Sequence, residues 1–380
     1  MPHRWYLLLT VLLPVWSSPG VAADPPTPRQ SVERLFVSGE TGYSRYRIPA
    51  LYVTPQRTVL AFCEGRVKPS GLTGDIDLVL RRSTDGGQTW SRLQVVADDG
   101  PNTLGNPCPV VDQSTGTIWL LLSRSLGVDT ETQITEGTSK ERTQVWITHS
   151  TDEGQTWAKP ANISAQATRP QWTWYGTGPG IGLQLPSGRL FIPSYHALEK
   201  TGIYQVHSLY SDDHGQTWKI GGTVADETTE AQAALQADGT LVINTRNISP
   251  RDASIRHRVI ARSRDEGITW TNVDRDPALT ESSCQGSLFV YSGLGDGARS
   301  RWLFTNPPGP GRRQLTLRLS YDEGRTWTKS RVIEPGAAEY SSLARLPNSE
   351  IGLLYERNTQ QKYAPEIVFT RLPLSELEAP

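Results

Sequence analysis

The sequence predicts an all-β protein, and three observations predict it. The 380 residues include 34 glycines, 27 prolines and 12 tryptophans, a supply of turns and rings that suits many short strands better than a helical bundle. The pattern Ser-x-Asp-x-Gly-x-Thr-Trp occurs five times, at 83–90, 150–157, 211–218, 263–270 and 320–327. A second pattern alternates with it: six segments, at 46–64, 106–124, 178–196, 230–247, 284–306 and 340–357, each read as strand, polar turn, strand.

The boxes themselves read as structural hairpin turns rather than as catalytic residues. Aspartate bonds to nearby backbone amides, glycine supplies a positive φ, and the tryptophan can fold back over the turn. Apolar runs such as 78–80, 145–147 and 259–261 precede them, which gives strand, turn, strand. Successive boxes start 67, 61, 52 and 57 residues apart.

Six openings with five boxes make six units, the last lacking a box. That last unit has room for three strands, ending at 366–372, and a fourth strand is available at 33–37. A ring closed by its own N-terminal strand leaves no free sheet edge. The expected fold is therefore a six-bladed β-propeller, four antiparallel strands per blade, spanning 31–373 as one domain. Two separate β domains are the alternative, but no linker-like segment interrupts the repeat.

Composition narrows the function. With 36% apolar and 20% charged residues and a formal net charge of −1, the chain gives no reason to expect a nucleic-acid or anionic-membrane partner. Residues 1–23 read as a signal peptide: His3 and Arg4, an apolar run over 7–16, then Val21-Ala22-Ala23 as cleavage site. The run is short for a bilayer span, though a retained anchor is the competing reading. No later segment reaches transmembrane length, so the expectation is export without membrane insertion, to the periplasm or the medium. Cys63, Cys108 and Cys284 are an odd set for an exported protein, and buried free thiols are expected over a disulfide. No Cys/His cluster has metal-ligand spacing, and no motif implies a cofactor.

Propellers gather function where inner strands meet the central channel. Arg47, Glu230 and Tyr340 each sit eight or nine residues before their unit's turn. Arg246 ends the second strand of unit four, Arg66 follows that of unit one, and Arg312 and Arg313 precede the third strand of unit five. Tyr46-Arg47-Ile48-Pro49 resembles the Phe/Tyr-Arg-Ile-Pro motif of bacterial-type sialidases, and the five boxes resemble their Asp-boxes. Glu230-Ala231-Gln232, Asn244-Thr245-Arg246-Asn247, Cys284-Gln285-Gly286-Ser287 and Tyr340-Ser341-Ser342-Leu343 match as well, so the resemblance covers nearly the whole mature chain.

The resemblance implies an exo-α-sialidase that releases terminal sialic acids from glycoconjugates with retention. Arg47, Arg246 and Arg312 would grip the sugar carboxylate, for which the planar guanidinium fork is suited. Arg313 competes with Arg312, which has the family spacing to Leu315. Arg66 would bind substrate. Tyr340 would be the nucleophile, in the family that departs from the usual carboxylate, because a neutral phenol is not repelled by the sugar's own carboxylate. Glu230 would take its proton.

One position breaks the pattern. The family's acid/base aspartate stands three residues before an Asp-Ile-Asp-Leu run; here that run is Asp75-Ile76-Asp77-Leu78 and the position holds Leu72. Three readings compete: Asp75 swings in as the acid, the enzyme works without its own acid, or the protein is a sialic-acid-binding propeller that has lost hydrolysis. Asp77 alternates with Asp75 and is expected to point the other way. Ile181 stands where the family often has a polar residue, at the pocket rim. Trp172, Trp174 and Tyr175 are candidates for sugar stacking or for packing.

Overall fold

The computed structural model describes residues 32–68, 71–250, 256–293, 299–359 and 364–379, with Met1 and His3. The chain divides into two compact units, Met1–Gln30 and Ser31–Pro380, and every element below lies in the second. The 1–23 leader and its cleavage site fall outside the described residues except at Met1 and His3. Among the described residues no helix is long and apolar enough to cross a membrane.

The fold is all-β. Five of the six expected strand pairs form where they are read, all antiparallel: Arg45–Val53 with Val59–Arg66, Thr103–Val111 with Ile118–Ser125, Thr228–Leu235 with Leu241–Asn247, Ser287–Ser292 with Arg301–Asn306, and Lys329–Arg345 with Glu350–Thr359. In the third unit the opening strand lies earlier than expected: Trp172–Thr177, ahead of 178–196, and the short Leu183–Gln184 within it both pair antiparallel with Leu190–Leu198. Each unit continues into a third antiparallel strand. The chain's first strand, Val32–Phe36, pairs with its last, Ala364–Pro373, so the N-terminus supplies the outer strand of the sixth unit as the sequence predicts.

These units are joined into four sheets among the described residues. One parallel pairing, Ile76 with Thr103, links the first two units. The 17-residue strand Lys329–Arg345 links the last two, pairing through its N-terminal half with Arg313–Ser320 and through its C-terminal half with Glu350–Thr359. Three short helices, Glu131–Glu136, Ser164–Ala167 and Leu374–Glu378, lie beyond what the strand pattern predicts.

The boxes are turns of one design. At 150–157 the Ser150 hydroxyl and the Thr156 amide donate to Oδ1 of Asp152 at 2.7 and 2.9 Å, and the Thr156 hydroxyl donates to Oδ2 at 2.6 Å. The Gly154 amide donates to the Ser150 hydroxyl at 2.9 Å. The same serine, glycine and threonine bonds recur in the other four. Two successive residues take left-handed φ, 61° and 75° at Glu153 and Gly154, which is why the second must be glycine. A Cβ on Gly154 would meet Leu60 and Leu80 of the preceding unit at 3.3 and 3.4 Å, so the turn seats against its neighbour. Only Trp157 and Trp218 fold back to donate to the carbonyl of their own box glycine; Trp90, Trp270 and Trp327 reach Glu33, Ser208 and Asp276.

The three cysteines are buried free thiols, as expected.

Candidate active site

The inner strands bulge where they carry the predicted residues. Pairing register shifts between Arg47 and Ala50, between Gly105 and Cys108, between Thr229 and Ala231, and between Ala338 and Ser341. Ile48, Asn106 and Glu230 have φ of 60°, 54° and 29°. A β-branched or acidic residue at positive φ is strained, and a bulge re-aims its neighbours' side chains. The amides freed by two bulges are met by carboxylates: Ile48 N–H donates to Glu356 at 2.7 Å and Asn106 N–H to Glu64 at 2.9 Å. A Cβ at Gly105 would stand 2.7 Å from that Glu64 oxygen, so only glycine fits beside it.

These strands enclose a cavity of about 390 Å³ that Arg47, Arg66, Leu72, Glu230, Arg246, Arg312 and Tyr340 all line. The Tyr340 hydroxyl donates to Oε1 of Glu230 in a short hydrogen bond. Arg246 donates to Oε2 of the same carboxylate at 2.8 Å and lies 3.4 Å from the Tyr340 oxygen. Arg47 and Arg312 stand over the Tyr340 ring, their Cζ atoms 5.1 and 5.6 Å from its centroid.

Two glutamates that the sequence reading missed hold the arginines. Glu356, almost wholly buried, accepts a fork from Arg47 at 3.1 and 2.7 Å. Glu339 accepts from Arg47 at 2.8 Å and from Arg312 at 2.6 Å, bridging them. Glu339 immediately precedes Tyr340, and Glu356 lies on the strand paired with it; an acidic residue beside a nucleophile candidate and another in an apolar strand were the available signals. Arg312, not the exposed Arg313, faces the cavity. Arg66 is tied to Glu64 through Nε at 2.9 Å and Nη2 at 2.5 Å.

The electrostatics favour a protonated phenol beside an ionised carboxylate. Burial, and next the Glu230 charge, push the Tyr340 phenol well above its usual value, against the pull of Arg246 and Arg312. Burial alone would favour neutral Glu230, but Arg246, the Tyr340 hydroxyl and Arg312 outweigh it and hold the carboxyl below the ordinary glutamate range. Such a pair can pass a proton as the phenol oxygen attacks.

Three expectations need correction. Asp75 does not line this cavity. It precedes the strand Ile76–Ser83 and lines a separate cavity with Asp77 and Asp98, while half-exposed Leu72 occupies the wall of the first. Asp75 and Asp77 thus face the same cavity rather than opposite ways, because side chains two residues apart on an extended chain share a face. Ile181 lines a third cavity, of about 860 Å³, where Leu51, Leu235 and Ala344 mark the other ends of the strands that carry Arg47, Glu230 and Tyr340. Of the three aromatics, Trp174 reaches the site, whereas Trp172 and Tyr175 pack in the core against His196 and His207.

This is a protein of the repeat class its turns announce: residues 49–353 match the family model described as BNR repeat-like domain. Residue identity then narrows the class. The chain is 34% identical to a sialidase of Micromonospora viridifaciens over 89% of this chain and 54% of the relative. It is 31% identical to an exo-alpha-sialidase of Aspergillus fumigatus over 83% of this chain and 79% of that one. The solved Hadza microbial sialidase Hz136 superposes with a TM-score of 0.80 at 31% identity, over 90% of this chain and 68% of that one. The chain belongs to the sialidase family, and it spans between about half and four fifths of the length of these curated relatives.

Proposed function

We propose that the protein is an exo-α-sialidase that hydrolyses terminal sialic acids from glycans with retention of configuration. One observation carries this reading: the Tyr340 hydroxyl is bonded to Glu230 beneath three arginines that converge on the same cavity. The sugar's carboxylate answers those arginines. Tyr340 attacks the anomeric carbon, Glu230 takes the phenol proton, and water later releases the sugar. Arg66, held by Glu64, binds a ring substituent. The substrate is a sialylated glycoprotein, glycolipid or oligosaccharide, and no nucleic acid or membrane insertion enters the account.

In the same reading the all-β body is a six-bladed propeller over 31–373. The six antiparallel pairs, and the pairing of the first strand with the last, support it. Residues 1–23 are a signal peptide, and the mature protein is secreted or periplasmic.

Leu72 favours a second reading, a sialic-acid-binding propeller that no longer hydrolyses, because the wall position that would hold the acid is apolar. Release of sialic acid from a sialyllactose and from an aryl sialoside separates the two. Turnover lost in Tyr340→Phe supports the hydrolase. Binding without any turnover supports the second reading.

A further inference from the structure

If the reaction is hydrolysis of an alkyl glycoside, something must protonate the departing oxygen, and neither Leu72 nor Asp75 can. Among the described residues, three carboxylates line the cavity: Glu64, Glu131 and Glu230. Glu64 is fully engaged, with Oε2 on Arg66 twice and Oε1 on the Asn106 amide. Glu230 is engaged by Tyr340 and Arg246. Glu131 differs. Oε1 accepts the Tyr204 hydroxyl at 3.0 Å, and among the described residues nothing else bonds to its carboxylate.

Glu131 is also on the right wall. The chain leading to it packs on the segment that follows Leu72: a Cβ at Gly127 would lie 3.1 Å from the Gly74 carbonyl carbon, and Gly127 N–H donates to Asn102. Gly74 in turn bonds through both its N–H and its C=O to the Thr103 hydroxyl, another residue of the wall. The carboxylate is held in place. Thr130 caps the helix Glu131–Glu136 in a box with Gln133, and Asp129 accepts the amides of Lys140 and Glu141 behind it.

We propose that Glu131 is the general acid of this enzyme, supplying from a different loop the proton that the family's aspartate position no longer can. The proposal rests on the hydrolase reading. In the first half-reaction the bond from the anomeric carbon to the leaving oxygen breaks, its electron pair going to that oxygen, which takes the proton of Glu131. The Tyr340 oxygen bonds to the anomeric carbon and its proton passes to Glu230. In the second, water attacks the anomeric carbon as its bond to the Tyr340 oxygen breaks, the electron pair going to that oxygen; Glu131 takes a proton from the water, and the Tyr340 oxygen recovers its own from Glu230. Tyr204 donates to Glu131 and positions it.

The test compares the full chain with Glu131→Gln on 3′-sialyllactose and on 4-methylumbelliferyl sialoside, whose acidic leaving group needs little protonation. The expected result is a fall in kcat/KM of about 10²- to 10⁴-fold on the lactoside and less than about tenfold on the aryl substrate. Adding Leu72→Asp to Glu131→Gln should restore lactoside turnover at least about tenfold. Thermal melting checks that each variant folds. Equal losses on both substrates, a loss confined to KM, or lactoside turnover unchanged in Glu131→Gln would overturn the proposal and leave the hydrolase reading intact. So would a wild type active on the aryl substrate alone. A wild type inactive on both substrates would overturn both.

Discussion

Tyr340 and Glu230 lie on strands from different repeat units, 110 positions apart, and meet in a hydrogen bond whose donor is the phenol. Arg246 bonds the same carboxylate from the neighbouring strand Leu241–Asn247, so the base is kept ionised where burial alone would neutralise it. Tyr340→Phe should abolish turnover of every sialoside while leaving the arginines to bind. Glu230→Gln should lower kcat on both alkyl and aryl sialosides by about 10²- to 10⁴-fold. Steady-state kinetics beside calorimetric binding of free sialic acid checks both. Because Glu230 is held below the ordinary glutamate range, the acidic limb of kcat/KM in wild type should lie below about pH 4.3, the value of a free glutamate, as far as this group is concerned.

Arg47 and Glu356 form a buried fork, and Glu356 also accepts the Ile48 amide. Glu356→Ala leaves a buried guanidinium and a buried amide short of their acceptor, and should cost about 3–5 kcal/mol of stability. Arg47→Lys keeps the charge but loses the fork, and should raise KM for sialosides at least about tenfold with a smaller loss of stability. Chemical denaturation and kinetics on the two variants separate these effects.

A second buried cluster sets an acid limit on the fold. Nδ1 of His196 lies 3.0 Å from Nδ1 of His207, whose Nε2 meets the Tyr175 hydroxyl, and Trp172 stacks on His196 with ring centroids 3.7 Å apart. Burial pushes His196 down to about 3, and burial together with His196 pushes His207 well below its usual value. Folded values below the unfolded 6.5 mean that stability is fully present above that pH and is lost as pH falls toward 3. Between pH 7 and 4, His196 alone should account for about 3 kcal/mol, and His196→Asn, which cannot be protonated there, should flatten that part of the stability curve.

Asp152 supports a turn and lies outside the substrate cavity. Asp152→Ala removes three hydrogen bonds and should lower stability by about 1–3 kcal/mol while kcat/KM stays within about twofold. A matched loss of activity would mean that the boxes do more than fold the turns.

The local parts of this molecule are legible in its sequence, and the distant contacts less so. Each box closes on itself within eight residues, and a strand pair such as Thr228–Leu235 with Leu241–Asn247 is joined by a short turn, so 83–90 or 230–247 can be read alone. The pairing of Val32–Phe36 with Ala364–Pro373 follows from counting strands against boxes. Arg47, Glu230, Arg246, Arg312 and Tyr340 are recognised by motif, but what holds them is not. Glu356 stands 309 positions from Arg47, and its role appears only when the strands are packed. Asp75 misleads because it shares a face with Asp77, two residues on, and that face turns to the second cavity. Glu131 sits on a helix that the strand pattern does not anticipate, and it carries no motif.

The most direct test of the account is to trap the enzyme with a fluorinated sialosyl fluoride and map the adduct by peptide mass spectrometry. The account predicts one sialyl group, on Tyr340, absent in Tyr340→Phe. Turnover with no adduct, or with the adduct on another residue, would contradict it.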